Sequence, residues 1–331
     1  MISILMPVFN TAPYLRICLD SICRQTFGDW ELIAVDDHST DNSRHILESY
    51  ARLDPRIHWY PNQGKGIIPA LRKAYHKSKG HMIHRMDSDD VMPRDKLENL
   101  YEILISDGPG VVATGQVDYF STEKVIQRGF LDYADWINTH IARDAIFEEI
   151  YTECPIASPA WLMYRDDLES IGGVVGDFYP EDYDLVFRMF IHDLVPRGCT
   201  KVVHYWRDWS DRASRTREEY ADQLFFDLKL HYFLTHSYQR DKPLVLWGAG
   251  KKGKKLFRKI QETDTETTWV TDNPRKIGRD IYHTVLQDPS EGISSDSQVI
   301  VAVSDPVAKS NIQHRLELMD WKINENLFFF C

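Results

Sequence analysis

The sequence predicts an α/β protein: a large, mostly parallel sheet with helices on both faces, followed by a smaller C-terminal α/β domain. Three observations carry this. Short apolar runs alternate with segments of helical period from Met1 to Tyr119. A polar stretch ended by proline, QRDKP at 239–243, then interrupts the chain. Beyond it a second alternation begins, on an apolar run that enters a glycine turn. At about 150 residues per domain, 331 residues make a large domain and a small one, which places them at 1–238 and 239–331.

The elements follow in order. ISILMPV reads as a buried strand, with an amphipathic helix near Pro13–Arg24. WELIAVDD is a second strand, with a helix after Asp41. RIHWYP is a third, with a helix over Ile67–Ser78. MIHRMD is a fourth, followed by a helix from Asp95 to Ile105, and VVATG is a fifth strand. Strands separated by helices of this length make βαβ units, whose strands pair in parallel. From Tyr119 to Tyr238 the pattern is irregular and richer in helix. In the second domain LVLWGAG is a strand and turn, KKGKKLFRKI a helix, TTWVTD and VIVAVSD strands, Val307–Met319 a helix, and ENLFFFC a closing strand.

Composition excludes several classes. Hydrophobic residues make up 43% of the chain and charged ones 27%, so it has the material for packed cores. No apolar run reaches the length of a membrane span, and MISILMPVFNTAPYL lacks the basic start of a secretory signal. The net charge of −11 argues against binding nucleic acid. Residues 241–331 hold 13 basic and 13 acidic residues, so the acidity lies before them. The five cysteines, Cys18, Cys23, Cys154, Cys199 and Cys331, are odd in number and form no C-x-x-C pair. They read as reduced thiols of a cytoplasmic protein, not as a zinc or disulfide framework.

The chemistry concentrates at strand ends, where open α/β sheets bind their ligands. The first strand ends in Pro7–Asn10, the second in Asp36, Asp37, Ser39 and Asp41, and the fourth in Asp87–Asp90. The third is followed by Asn62–Gly66. Acidic clusters on neighbouring strands repel unless a cation lies between them, and carboxylate oxygens suit Mg²⁺ or Mn²⁺. An Asp at a strand end is also a common helix cap or turn former, and Asp41, ahead of Asn42 and Ser43, fits that role.

In the order PVFN, AVDDHSTDNS, NQGKGIIPALRKA, HRMDSDDV, the chain resembles the family 2 glycosyltransferases of the GT-A fold. PEDYDLVFR at 180–188 resembles that family's acidic acceptor-side motif. The resemblance implies inverting transfer of a sugar from a nucleotide-diphosphate sugar to a hydroxyl of a glycan or lipid-linked acceptor. It implies a divalent cation, Mn or Mg, and a protein at work in polysaccharide biosynthesis, in the cytoplasm or peripherally at the inner face of the membrane. On this resemblance Pro7, Phe9 and Asn10 line the base and ribose, and Asp36 binds the base edge or ribose. Asp37 and Ser39 shape the turn, and Gly64, Lys65 and Arg72 lie on the donor side. Asp87 and Ser88 face the ribose, Asp89 holds the metal, and Asp90 extends the acidic patch. Asp182 is the general base, with Glu181 orienting the acceptor or the base. Acids behind Pro180 also favour a helix N-terminus, and the two readings are compatible.

HYWRDWSDRAS at 204–214 resembles the family segment Arg-x-His-x-x-Ser-x-Ser, with Trp209 where histidine is common. That leaves Arg207, Arg212 and Arg215 as diphosphate clamps. Nearby Trp161, Tyr164, Tyr179 and Trp206 suit either sugar stacking or the core. In the second domain Gly248-x-Gly250-x-x-Gly253 follows a strand and opens a helix, and Asp272 ends the next strand. This is the dinucleotide fingerprint in its proper context, which predicts a Rossmann-like fold and makes these residues candidates for an NAD-like ligand. The alternative function is therefore a sugar-nucleotide oxidoreductase or nucleotide-binding protein, which leaves the acidic strand ends unexplained. A nucleotidyltransferase would carry a Gly-rich basic loop where this chain has PVFN. A non-catalytic sugar-binding module is the remaining rival.

Overall fold

A computed structural model describes residues 1–174, 176, 178–209 and 222–331. The chain separates into two compact units. The first comprises Met1–Phe147 and Pro155–Tyr220, the second Glu148–Cys154 and Ala221–Cys331. The boundary read from the sequence at 238/239 falls inside the second unit.

In the first unit the expected alternation appears as β1 (Ile2–Val8), α1 (Ala12–Cys23), β2 (Trp30–Asp36), α2 (Ser43–Leu53), β3 (Ile57–Pro61), α3 (Ile67–Lys77), β4 (Met82–Arg85), α4 (Lys96–Asp107) and β5 (Val111–Phe120). α5 (Arg128–Ala142), β6 (Trp161–Tyr164), α6 (Arg165–Ser170), α7 (Glu181–Ile191) and β7 (Val195–Arg207) follow. The sheet order is β3-β2-β1-β4-β6-β5-β7. Pairing is parallel throughout except that β6 runs antiparallel to both β4 and β5. β1 and β2 are buried along nearly their whole length, as central strands covered on both faces must be. α1 buries Leu15, Cys18, Leu19 and Ile22, an apolar stripe at i, i+3, i+4 and i+7. β7 is the element that the sequence concealed. VPRGCTKVVHYWR has no clean alternation, yet it pairs with β5 across a register shift and delivers Arg207 to the strand ends.

The second unit contains α8 (Asp222–Tyr232), a π-helical turn over Phe233–Ser237, β8 (Leu244–Trp247), α9 (Lys251–Gln261), β9 (Thr267–Val270), a hairpin of β10 (Asp280–Ile281) and β11 (Thr284–Val285), α10 (Pro289–Gly292), β12 (Gln298–Val301), α11 (Pro306–Glu317) and β13 (Leu327–Phe329). Its parallel sheet has the order β13-β12-β8-β9. The core packs Trp247, Val270, Val299, Ile312, Leu316 and Phe329 around it. None of the described helices is long and apolar enough to cross a membrane.

Candidate active site

The turns after β1 and β2 lock together. Asn10 and His38 both take left-handed backbone (φ 52° and 62°), reversing the chain just past each strand. Asn10 Oδ1 accepts from Thr40 N at 2.8 Å, and Ser39 Oγ accepts from Asn10 N at 3.1 Å. Asp41 accepts from Ala12 N and Ser43 N, each at 2.9 Å, so it serves the first turns of α1 and α2. The helix-capping reading of Asp41 is the one the geometry supports. Asp36 and Asp37 are both buried. Asp36 Oδ1 accepts from Ser39 N at 3.3 Å. Asp37 accepts from Asn62 Nδ2 at 2.7 Å and from Gly66 N at 2.9 Å, which fixes the loop after β3. Gly66 sits at φ 97°, a conformation that side chains resist. His38 Nε2 lies 2.8 Å from the Gly64 carbonyl. Phe9 is exposed, Pro7 is half-buried at the end of β1, and Lys65 is exposed.

The four residues after β4 and Met86 divide by burial. Asp87 and Asp89 are half-buried, whereas Ser88 and Asp90 are buried. Ser88 Oγ bonds Thr11 Oγ1 at 2.9 Å. Asp90 Oδ1 accepts from Arg207 N at 2.7 Å, and its Oδ2 lies 3.0 Å from His204 Nε2. Behind His204, Lys96 Nζ is 3.3 Å from Nδ1 and also donates to the Pro159 carbonyl. Burial pushes Lys96 down to about 7. The network ties β7 to the acidic turn.

Asp89 faces the end of β7. Its Oδ2 accepts from Trp209 Nε1 at 2.7 Å, and its carbonyl accepts from Arg207 Nε at 2.7 Å. Arg207 is buried between the Tyr14 and Phe120 rings, at 4.7 and 4.5 Å. Its Nη2 has no protein partner among the described residues. Tyr14 also packs on Trp209 at 5.0 Å and donates to Glu123. Burial and that carboxylate push the Tyr14 phenol up to about 12. Arg212 and Arg215 lie outside the described residues.

On the acceptor side α7 begins at Glu181, with Pro180 ahead of it. Asp182 is half-buried, and its two oxygens accept from Ser158 Oγ at 2.5 Å and Tyr183 N at 2.8 Å. Glu181 is 1% exposed, and burial pushes its carboxyl up to about 7 despite Arg85. Arg85 reaches both sides: Nη1 donates to Glu181 Oε1 at 3.1 Å, Nε to Asp87 Oδ1 at 3.0 Å. Arg85, Lys96, His204 and Ser158 are the site residues that the sequence reading missed. The signal for Arg85 was present, as a charge at the end of a fully buried strand. Arg72 lies on α3, where Nη2 donates to the Gly176 carbonyl at 3.1 Å. Trp161 and Trp206 are core residues, at 2% and 5% exposed.

Among the described residues no three His, Cys, Asp or Glu side chains are grouped to hold a metal ion. A cation held by one carboxylate and completed by a diphosphate needs no such group. Asp89 fits that arrangement, and the orphaned Arg207 nitrogen beside it is a donor for an anionic partner.

The model of Glycosyl transferase family 2 matches residues 3–172. The chain belongs to glycosyl transferase family 2. The putative teichuronic acid biosynthesis glycosyltransferase TuaG of Bacillus subtilis is 36% identical over 106 residues, 32% of this chain and 42% of that protein. Glycosyltransferase GlyA of Streptococcus pneumoniae is 30% identical over 155 residues, 47% of this chain and 21% of that protein. This family 2 chain thus spans less than half the length of these curated relatives. The fold matches S. aureus TarS 1-349, crystallised in complex with UDP-GlcNAc, with a TM-score of 0.54 at 17% identity. That match covers 72% of this chain and 68% of the TarS chain.

In the second unit the three glycines do different things. Gly248 has φ 125°, and a Cβ there would lie 2.8 Å from the Ala302 carbonyl oxygen. A Cβ on Gly253 would lie 2.0 Å from the Gly248 carbonyl oxygen, so α9 packs directly on the turn. Gly250 faces open space. Asp272 accepts from Trp247 Nε1 at 2.6 Å and pairs with Arg315 at 3.7 Å.

Proposed function

We propose that this family 2 chain is an inverting, metal-assisted glycosyltransferase that moves a sugar from a nucleotide-diphosphate sugar to a hydroxyl of a glycan or lipid-linked acceptor. The observation that carries this is the Asp89–Arg207 pairing. At the carboxyl ends of β4 and β7 the buried Arg207 guanidinium, which keeps an unpartnered nitrogen, donates to the main-chain carbonyl of Asp89, whose half-buried carboxylate accepts from Trp209. A divalent cation on Asp89 would neutralise charge on the diphosphate, and the Arg207 guanidinium is placed to donate to the same oxygens.

The base and ribose rest on Pro7, Phe9, Asn10 and Asp36, with Asp87 and Ser88 on the ribose side. Asp37 and Ser39 hold the turns in shape, and Gly64, Lys65 and Arg72 border the donor side. As the anomeric carbon–phosphate oxygen bond breaks, the acceptor oxygen bonds that carbon from the opposite face, and Asp182 takes its proton. The Ser158 hydroxyl and Tyr183 N–H hold the carboxylate in place and leave it lone pairs for the acceptor. Glu181, pinned by Arg85, fixes the start of α7 and so orients the base.

We read the first domain as the transferase and the second as a Rossmann-like module whose glycine turn, Gly248, Gly250 and Gly253 with Asp272, is a candidate for an NAD-like ligand. The test of the donor site is a thermal-shift panel of UDP-, GDP- and dTDP-sugars with Mn²⁺. A ligand that binds only the folded state raises Tm. One donor class should raise it, and EDTA should abolish the shift. No shift with any donor, with or without Mn²⁺, overturns the assignment.

A further inference from the structure

The acidity of the chain is not spread evenly. From Pro55 to Met86 there is no Asp or Glu and there are seven Lys+Arg, in a protein of net charge −11. This stretch holds β3, α3 and β4. Arg72, Lys73, His76 and Lys77 fall at i, i+1, i+4 and i+5, which puts them on one side of α3. With Asn62 and Gln63 they line a concave groove of about 350 Å³.

The cations are held against the protein. Lys73 Nζ donates to the Pro61 carbonyl at 2.5 Å, the Lys77 ammonium lies 5.4 Å from the Tyr60 ring, and Arg72 donates to Gly176. A charged group already ordered loses less freedom when it meets a ligand. The groove starts at the loop that Asp37 and His38 fasten to the strand ends, so it opens from the site. β3 is one edge of the sheet, whereas Asp89 follows the central strand β4 and Arg207 ends β7 at the opposite edge. The groove is therefore distinct from the Asp89–Arg207 clamp, although Gly64 and Arg72, which border the donor side, also line its mouth, so its own basic side chains are Lys73, His76 and Lys77. A carboxylate is bonded to α3 at Tyr75, whose hydroxyl donates to Glu169, but Arg165 covers the same ring at 4.8 Å.

The plain alternative is that cations collect at the C-terminal end of a helix to complement its dipole. That accounts for His76 and Lys77. It does not account for Arg72 near mid-helix, for the groove, or for 32 residues without an acid.

We propose that this groove binds an acceptor bearing repeated anionic groups, phosphodiester or uronate. The proposal rests on the transferase reading above. A concave groove with amide donors among its cations suits a chain of discrete anions better than the flat surface of a membrane.

The experiment measures binding of short-chain polyphosphate, polygalacturonate and neutral dextran to the full chain, with phosphatidylglycerol vesicles in a parallel arm. One or both polyanions should bind, dextran should not, and affinity should fall steeply as salt rises. The double substitution Lys73→Glu, Lys77→Glu should weaken that binding roughly tenfold or more. It should leave the Mn²⁺-dependent shift with nucleotide sugars unchanged. The milder Lys73→Gln, Lys77→Gln pair replaces it if the charge reversal fails to fold. Equal affinity in the variant, binding to vesicles alone, or no polyanion binding at low salt overturns the proposal. Polyanion binding that is lost in the variant, in a protein that no nucleotide sugar shifts, would keep the groove and remove the donor site.

Discussion

Asp182 and Asp89 are both half-buried carboxylates at the ends of regular elements, and substitution separates their roles. Asp182→Asn keeps the shape and its hydrogen-bonding reach while removing the base. Turnover should fall by about 10²–10⁴-fold with donor affinity nearly unchanged. Asp89→Asn should lower both turnover and Mn²⁺-dependent donor binding, read by calorimetry with the donor that the thermal panel identifies. Because Asp182 also accepts from the first-turn Tyr183 N–H, a purely capping role would cost about 1 kcal/mol of stability and spare turnover. That outcome moves the search for the base elsewhere. Glu181 gives a pH signature. Its folded carboxyl titrates near 7, above the unfolded value of about 4.3. The folded state therefore binds the extra proton, and this group stabilises the fold at low pH and loses that contribution as pH rises from about 4.5 through 7. Glu181→Gln should flatten the Tm-against-pH curve across that window. An unchanged slope would show that Glu181 titrates normally.

At the scale of elements, the glycine turn between β8 and α9 makes opposite forecasts for two glycines. Gly253→Ala drives a methyl into the Gly248 carbonyl, a backbone atom that cannot swing aside, and should destabilise the second unit by about 1–3 kcal/mol. Gly250→Ala points into open space and should leave stability within about 0.5 kcal/mol. Denaturant unfolding of both variants checks this. If the turn takes an NAD-like ligand, fluorescence titration with NADH should be weakened at Gly250→Ala. No NADH binding in the wild type assigns the three glycines to packing, a role that the Gly248 and Gly253 geometry already supplies. β7 is the other instructive element. It gains its place by pairing with β5, not by its own pattern, and it is what carries Arg207 to Asp89.

For the whole molecule, the compact units predict how the chain can be divided. Glu148–Cys154 belongs with the second unit. There Tyr151 is stacked on Phe330 at 5.4 Å and edge-on to Phe328 at 5.6 Å, and Thr152 accepts from Lys229 through its carbonyl at 2.7 Å. A chain ended at Arg240 keeps Tyr151 but strips away both phenylalanines. It should aggregate or melt below the full-length protein, as size exclusion and calorimetry would record. A monomeric, soluble 1–240 chain with undiminished donor affinity would instead establish the boundary at 238/239 as an independent folding limit.

What the sequence by itself determined was local and periodic. Buried parallel strands need continuous apolar runs and helices need their stripe, so β1 to β5, β8, β9, β12 and β13 were legible, as were the acidic strand ends. The motif order in turn made the family legible. What only the tertiary structure decided were partnerships between residues distant in the chain. Arg85 bridges Asp87 to Glu181, Lys96 and His204 brace Asp90, and Ser158 steadies Asp182. None has a period or a spacing, because each exists only once strands far apart in sequence lie side by side. The same holds for β7 and for Glu148–Cys154, whose surroundings were set by long-range packing. Local patterning writes the elements, but the energy of a buried charge depends on which partner the fold brings within hydrogen-bond reach.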